Sequence, residues 1–352
     1  MKQIKTYACY LNDDNVRLIS SSGAVFSVLA SYVFSLGGVV YGVTMAEDCY
    51  SAEFVAITCE DDINKLRGSK YLQAKIGNTY KNVKKDLLQG KTVMFTGTSC
   101  QVNGLKKFLE KDYENLICID IICHGAPSPA LWKKYAQYQE VKNGGKLVYV
   151  NFRCKDEKKT TLVAINKVDQ KDKIKIKYIS KNIDSYMQMF LKDYCLRPSC
   201  YECVAKNNKM SDITIADFWG IDAVVPGMND GKGISLVLVR SELGQSLFNI
   251  LAKKMELKEV AYESGVKRNP AEYMSCIRPP QRDAFFNDMY TMSFEELKRK
   301  YIVSIKFSKK VERKIKNLIK TIIRRVTVNS SDYGMFFCLN KRMQNERNTT
   351  VI

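Results

Sequence analysis

The chain has 352 residues, with 56 basic against 37 acidic side chains and a formal net charge of +19. Its 45% hydrophobic and 26% charged residues are ordinary globular values, which exclude a disordered, collagen-like or low-complexity chain. Twelve cysteines stand beside a single histidine, His124, so histidine-rich zinc chemistry and relays needing more than one imidazole are excluded.

Met1 to Lys5 hold no apolar stretch leading to a small-residue cleavage site, so a cytoplasmic protein is expected. Its thiols then stay reduced and serve as metal ligands, redox groups or small buried side chains. From Ala24 to Ala46 no residue is charged, a stretch long enough to cross a bilayer. Ser27, Ser31, Ser35 and Gly37-Gly38 interrupt it before the run Val39-Val40-Tyr41-Gly42-Val43. The pattern predicts helix, turn and buried strand rather than a span.

Short apolar runs then alternate with helical patterns: a strand over 54–59, a helix near 60–67, a strand over 92–96, a helix over 101–109 and a strand over 116–122. Polar-apolar alternation over 147–152 and 212–218 predicts further strands, with loops at 143–145 and 155–160. This order predicts an α/β fold of mixed α+β character built on a mixed sheet. We divide it into an N-terminal cofactor-binding region (1–145), a second region (146–300) and a basic C-terminal segment (301–352).

Between Lys298 and Arg325 lie twelve Lys or Arg and one acid, Glu312. Val311, Ile315, Leu318, Ile319, Ile322, Ile323 and Val326 recur there at helical spacing, with Arg313, Lys316, Lys320 and Arg324 opposite. Such a basic amphipathic helix suits an anionic membrane face or an acidic partner. It equally suits a terminal helix docked on its own domain with a solvated basic side. Nucleic acid is disfavoured, because no helix-turn-helix, RNA-recognition or zinc-finger spacing accompanies the charge.

Three places suit a phosphorylated cofactor. Ser20-Ser21-Ser22-Gly23 precedes a helical pattern, where hydroxyls and free backbone N–H groups can hold a phosphate. Gly68-Ser69-Lys70-Tyr71 joins a flexible backbone, a hydroxyl, an ammonium and an aromatic ring. Gly97-Thr98 ends a buried strand and opens a helix, the position at which α/β sheets bind anionic ligands. Ser-rich caps and loops of this kind are also common without any ligand.

The cysteines point to a metal centre. Cys200-Tyr201-Glu202-Cys203 is a C-x-x-C with Cys195 upstream, and Cys100 and Cys123 each follow a predicted strand. Four converging thiolates suit a 4Fe-4S cluster, and zinc asks for the same ligands. A C-x-x-C is also the thioredoxin-type dithiol, although this one sits in an Arg-Pro loop rather than opening a helix. Cys9, Cys49, Cys59, Cys118, Cys154, Cys276 and Cys338 read as small apolar residues. His124 follows Cys123 in Cys123-His124-Gly125-Ala126-Pro127, where glycine and proline stop the strand and leave the imidazole at the rim. A lone histidine is commonly structural; here its position also suits a proton donor.

The runs Ser20 to Phe26, Gly68 to Gln73, Phe95 to Leu105, Asp120 to Pro129, Leu196 to Cys203 and Ser211 to Ile221 resemble the coenzyme F420 hydrogenase/dehydrogenase beta-subunit family. The resemblance spans about residues 15–300. It implies an FAD-binding oxidoreductase core with a 4Fe-4S loop region, passing electrons from a ferredoxin-like donor through the cluster to flavin and on to a substrate or a coenzyme F420-like acceptor. It implies Ser21, Ser22, Gly23, Gly68, Ser69, Lys70, Tyr71, Gly97 and Thr98 as flavin contacts and Cys100, Cys123, Cys200 and Cys203 as cluster ligands. His124 is then the candidate proton donor, and Lys70 holds a phosphate or stabilises the reduced flavin.

Departures accompany the matches. Only Cys9 precedes Cys49, so the amino-terminal ferredoxin-like module of many members is lacking. Ser99 stands where the family commonly has proline, and Ala24 where it has a second glycine. Some bacterial relatives accompany surface-polysaccharide synthesis, which a membrane-adjacent basic helix suits. A second reading from another class is a non-enzymatic, zinc-stabilised accessory protein docked on a membrane, and a third is a thiol-disulfide oxidoreductase using Cys200 and Cys203.

Overall fold

The computed structural model describes residues 4–155, 161–162, 164–170 and 173–302. The expected basic helix lies outside them, as does nearly all of the expected 155–160 loop. The chain opens with strand β1 (Lys5–Leu11), helices α1 (Asp14–Ile19) and α2 (Val25–Ser35), and strands β2 (Val39–Met45) and β3 (Ala52–Ile57). The uncharged stretch is therefore helix, turn and buried strand, as its serines and glycines predict. No helix among the described residues is long and apolar enough to cross a membrane.

Next come α3 (Ile63–Leu66), β4 (Ala74–Lys75), α4 (Thr79–Leu88), β5 (Val93–Thr98), α5 (Ser99–Leu109), β6 (Leu116–Ile121) and α6 (Pro129–Asn143). Beyond them β7 (Lys146–Asn151), β10 (Ala164–Gln170) and β11 (Lys173–Ile179) form a three-stranded sheet, and β8 (Cys154–Lys155) pairs with β9 (Thr161–Leu162). Helix α7 (Ser185–Leu191) leads to β12 (Ile213–Asp217), β13 (Ser235–Val239), α8 (Glu242–Ala252) and β14 (Met255–Val260).

The main sheet has nine strands in the order β14-β1-β13-β12-β6-β5-β2-β3-β4, a mixed arrangement that makes the fold mixed α/β. Strands from both sides of residue 145 share it, and Met1–Ile302 packs as one unit. Its central strands are covered on both faces, which is why they read as continuous apolar runs. Met94, Ile117 and Ile119 face α2 and α8, while Val93, Phe95, Leu116 and Cys118 face α4 and α5. Period-2 alternation thus divides each strand between two cores.

β2, β5, β6 and β12 run parallel, and β1 shares their direction through two antiparallel steps across β13. The carboxyl ends Leu11, Met45, Thr98, Ile121 and Asp217 consequently fall along one sheet edge. A third core, with Trp132, Tyr135, Phe152, Tyr186 and Phe190 at its centre, is built largely from α6, α7 and the helices Arg282–Thr291 and Phe294–Tyr301. Trp132 Nε1 donates to Cys49 O at 2.8 Å, and Tyr186 Oη to Tyr71 O at 2.5 Å, so this core is tied to the segments following β2 and α3.

Candidate redox site

The sheet edge gathers the sequence-predicted residues because each loop there leaves a strand at its carboxyl end. After β1 and α1 the chain turns through Ser20 to Gly23. Gly23 lies so close to β1 and β13 that an added Cβ would stand 2.5 Å from Cys9 O and 2.8 Å from Ser235 N. Ser22 Oγ donates to Ile234 O at 2.7 Å, so this hydroxyl and Gly23 fasten the turn to the sheet. Ser21 faces the second element instead. Its Oγ lies 3.1 Å from Ser69 Oγ and accepts from Ser69 N at 3.0 Å. Gly68 holds φ +83°, and an added Cβ there would meet only Asn151 Oδ1, at 3.8 Å, while Tyr71 packs against Phe152 and Phe190.

Lys70 turns away from this wall. Its Nζ donates to Lys65 O, Leu66 O and Arg67 O at 3.2, 3.0 and 2.8 Å, capping α3 with all three of its protons. Burial pushes the ammonium down to about 7. In the unfolded chain the pKa returns to about 10.4, so between pH 7 and 10 the unfolded state binds more protons and folding gains stability as pH rises. The wild type is therefore expected to gain on a Lys70→Met variant from pH 7 to 9, by no more than about 1.4 kcal/mol per pH unit in urea unfolding. Parallel pH profiles would show that Lys70 stays charged throughout.

Beside Ser21 and Ser22 opens a crevice of 290 Å³ that sequence reasoning missed, lined also by Arg153, Lys155, Asp217 and Trp219. Arg153 pairs with Asp217 and donates to Ser21 O at 3.3 Å, and burial opposes its charge while Asp217 and Tyr71 together more than restore it. Its Nε is buried with no hydrogen-bond partner. Arg153 and Lys181 flank the exposed Trp219 ring at 5.5 and 5.6 Å. Lys155 donates to Arg17 O, Ser22 O and Lys232 O at 2.7, 2.7 and 2.6 Å, and burial pushes it down to about 8. Asp217-Phe218-Trp219 stood in the sequence at a predicted strand end; nothing local marked Arg153 as its partner.

The thiols form the other side. Gly97 and Thr98 end β5, and Gln101 Oε1 accepts from Thr98 N at 2.9 Å, fixing the first turn of α5 and exposing Cys100. Asp120, fully buried, accepts from Ser99 Oγ at 2.5 Å and Ser211 Oγ at 2.9 Å, which locks that turn to β6 and so to Cys123. Cys200 ends a 3-10 turn at Pro198–Cys200, and its Sγ accepts from Ala126 N at 3.3 Å. Burial raises the Cys123 thiol to about 12; Lys206 opposes this, and Cys100, Cys200 and Cys203 reinforce it. Four thiols from three segments are thus near enough to act on one another.

Cys195 is not among them, being fully buried in the third core with its thiol pushed up to about 12. No disulfide joins Cys100, Cys123, Cys195, Cys200 or Cys203. His124 Nε2 donates to Asp193 Oδ1 at 2.6 Å, its ring meets Phe190 edge-on, and Cys276 Sγ donates to His124 O at 2.8 Å. Phe190 also touches Tyr71, so it links the His124 side to the Ser69 side. Cys276 reads as a plain apolar residue in sequence, yet it sits against the one imidazole.

The chain matches the N-terminal model of the coenzyme F420 hydrogenase/dehydrogenase beta subunit over residues 6–79 and the C-terminal model over residues 90–264. It belongs to this beta-subunit family. The protein is accordingly an oxidoreductase of the hydrogenase/dehydrogenase beta-subunit class. No curated protein matches the chain. Among solved structures, a chain from the F420-reducing NiFe hydrogenase complex of Methanosarcina barkeri, solved as a xenon derivative, is similar at 12% identity and a TM-score of 0.47, covering 85% of this chain and 91% of that one.

Proposed function

We propose that this beta-subunit family member passes electrons between a 4Fe-4S cluster held by Cys100, Cys123, Cys200 and Cys203 and an FAD bound between the Ser21–Ser69 wall and the thiol side. The observation that carries the reading is the tying together of the three cysteine-bearing segments, by Ala126 N on Cys200 Sγ, Lys206 Nζ on Cys123 O and Ser99 and Ser211 on Asp120, at the sheet edge that also holds the serine crevice. The donor set suits iron-sulfur better than zinc. At about 2.3 Å per Zn–S bond, tetrahedral zinc brings its sulfurs within about 3.8 Å of one another. Among the described residues no three of these thiols lie within even 4.8 Å, the only such group of candidate ligands being His124, Asp193 and Cys276. This tells against the zinc-stabilised accessory protein.

When bound, the cluster supplies one-electron transfer and the flavin couples single electrons to a hydride. The chain's own residues bind and position. Ser21 and Ser69 offer their hydroxyls to the cofactor. The unpartnered Arg153 Nε offers a donor. Asp193 accepts from His124 Nε2, which fixes the imidazole and leaves Nδ1 to give or take a proton. A ferredoxin-like protein is the proposed donor and a substrate or F420-like molecule the acceptor. Action beside an anionic membrane, through the basic segment between Lys298 and Arg325 and within surface-polysaccharide synthesis, extends the proposal.

Protein purified without oxygen is expected to carry about four irons and one flavin per chain and to bleach with dithionite. Colourless protein that takes up no flavin on reconstitution would overturn the assignment.

A further inference from the structure

His124, Asp193 and Cys276 stand beside the proposed cluster cysteines without being part of that set. Asp193 and Cys276 lie 69 and 152 positions beyond His124, yet one ligand atom from each of the three falls within 4.8 Å of the others, the only such group among the described residues. Cys276 Sγ is 3.7 Å from both ring nitrogens and within hydrogen-bonding reach of the Asp193 carboxylate, which itself accepts from His124 Nε2 at 2.6 Å. Each donor is carried on a backbone that is fastened separately. Tyr201 Oη donates to Asp193 O at 2.5 Å, Cys203 N to Ser275 Oγ at 2.9 Å, and Lys206 Nζ to the carbonyl of Cys123, which precedes His124. Phe190 meets the imidazole edge-on.

Imidazole, carboxylate and thiolate form a mixed donor set that suits zinc, whereas magnesium and calcium take oxygen alone. With Zn–N of about 2.0 Å and Zn–S of about 2.3 Å, a tetrahedral ion sets nitrogen and sulfur about 3.5 Å apart. The 3.7 Å found here is close to that span. Nε2 and Oδ1, now 2.6 Å apart, must part by about 0.7 Å, which a turn of the carboxylate supplies. The His124 and Asp193 side chains are 37% and 21% exposed, so an ion can enter from solvent and keep a water as its fourth ligand. Asp193 and the Cys276 thiolate set two negative charges against one from Lys206, whose Nζ is held by Cys123 O and Ala271 O. We propose that His124 Nε2, Asp193 and Cys276 Sγ bind one divalent ion of the zinc class, with three protein ligands and one open position. Binding releases the Cys276 thiol proton to water, passes the imidazole proton to Nδ1 and changes no oxidation state. The ion and the proton transfer assigned to His124 draw on one imidazole, so zinc switches that transfer off. The site does not depend on the cluster assignment.

The test is zinc binding by the full chain purified without oxygen, read by elemental analysis, by competition with a chromophoric chelator and by X-ray absorption at the zinc edge. One zinc per chain is expected, with one sulfur at about 2.3 Å and nitrogen or oxygen neighbours at about 2.0–2.2 Å. Three or four sulfurs would put the ion on the cluster cysteines and overturn the site. This count is taken on the wild type, so it decides even where a variant fails to fold. Cys276→Ser and Asp193→Asn keep side-chain size and are each expected to weaken zinc by about 100-fold or more, since groups one layer outside the ligands already cost 10- to 100-fold. Iron content should stay at the wild-type level in both, and Cys59→Ser, at an exposed thiol, should bind zinc as the wild type does. Wild-type zinc affinity in both ligand variants overturns the site, as does zinc held no more tightly than about millimolar. Iron-free protein that still holds zinc through one sulfur upholds this site and overturns the cluster assignment instead.

Discussion

Replacing Cys123 by serine is expected to strip the protein of iron and of its broad visible absorbance while leaving flavin bound. Cys123 follows the central strand β6, its carbonyl is held by Lys206, and Cys100, Cys200 and Cys203 all bear on its thiol. It is therefore one of the four thiols that act on one another, and a cluster that needs four thiolates loses one of them. The Ser21–Ser69 contact lies on separate segments and is untouched, so flavin content should fall by less than about half; an iron-binding loss of 10- to 100-fold is typical even for groups one layer outside the ligands. Cys59→Ser is the control, since that thiol is exposed and outside the group. Iron analysis and the spectrum of both variants decide the matter. A Cys123→Ser protein with wild-type iron would remove Cys123 from the ligand set.

Gly23→Ala is expected to cause a large loss of stability from a single methyl group. The added carbon would stand 2.5 Å from Cys9 O and 2.8 Å from Ser235 N, both main-chain atoms of adjacent strands inside the nine-stranded sheet. Neither strand can yield without disturbing its ladder. Gly23 itself is held by Ser235 Oγ at 3.0 Å and by Leu11 N, which donates to its carbonyl at 2.9 Å. Overpacking of this kind costs about 1–3 kcal/mol, and more where only backbone can move. Gly37→Ala separates this effect from backbone strain: Gly37 has φ +66° but nothing within 4 Å of an added Cβ. That change should cost only the left-handed penalty of about 1–2 kcal/mol. Urea midpoints, with unchanged slopes, should place Gly23→Ala below Gly37→Ala. The reverse order would show that the turn can move away from the sheet. The same shift of Ser21 and Ser22 should weaken flavin retention.

The alternation of strands and helices, the reading of Ala24 to Ala46 as helix, turn and strand, and the placing of Cys100 and Cys123 just past strand ends were all legible in the sequence. They depend on periods of 2 and 3.6 and on glycine and proline stops, which act within a few residues. The cap that Lys70 makes on α3 is equally local, three to five residues back along the chain, but a lysine beside a glycine and a serine carries the same letters whether it meets a phosphate or a carbonyl. Only the tertiary structure chose. It alone decided that Arg153 meets Asp217 and Ser21, that Asp193 and Cys276 close on His124, and that strands from both halves of the chain share one sheet. Those contacts join residues tens to hundreds of positions apart. They are selected by which faces the sheet and its helices leave to be buried, a competition over the whole chain that no local pattern records.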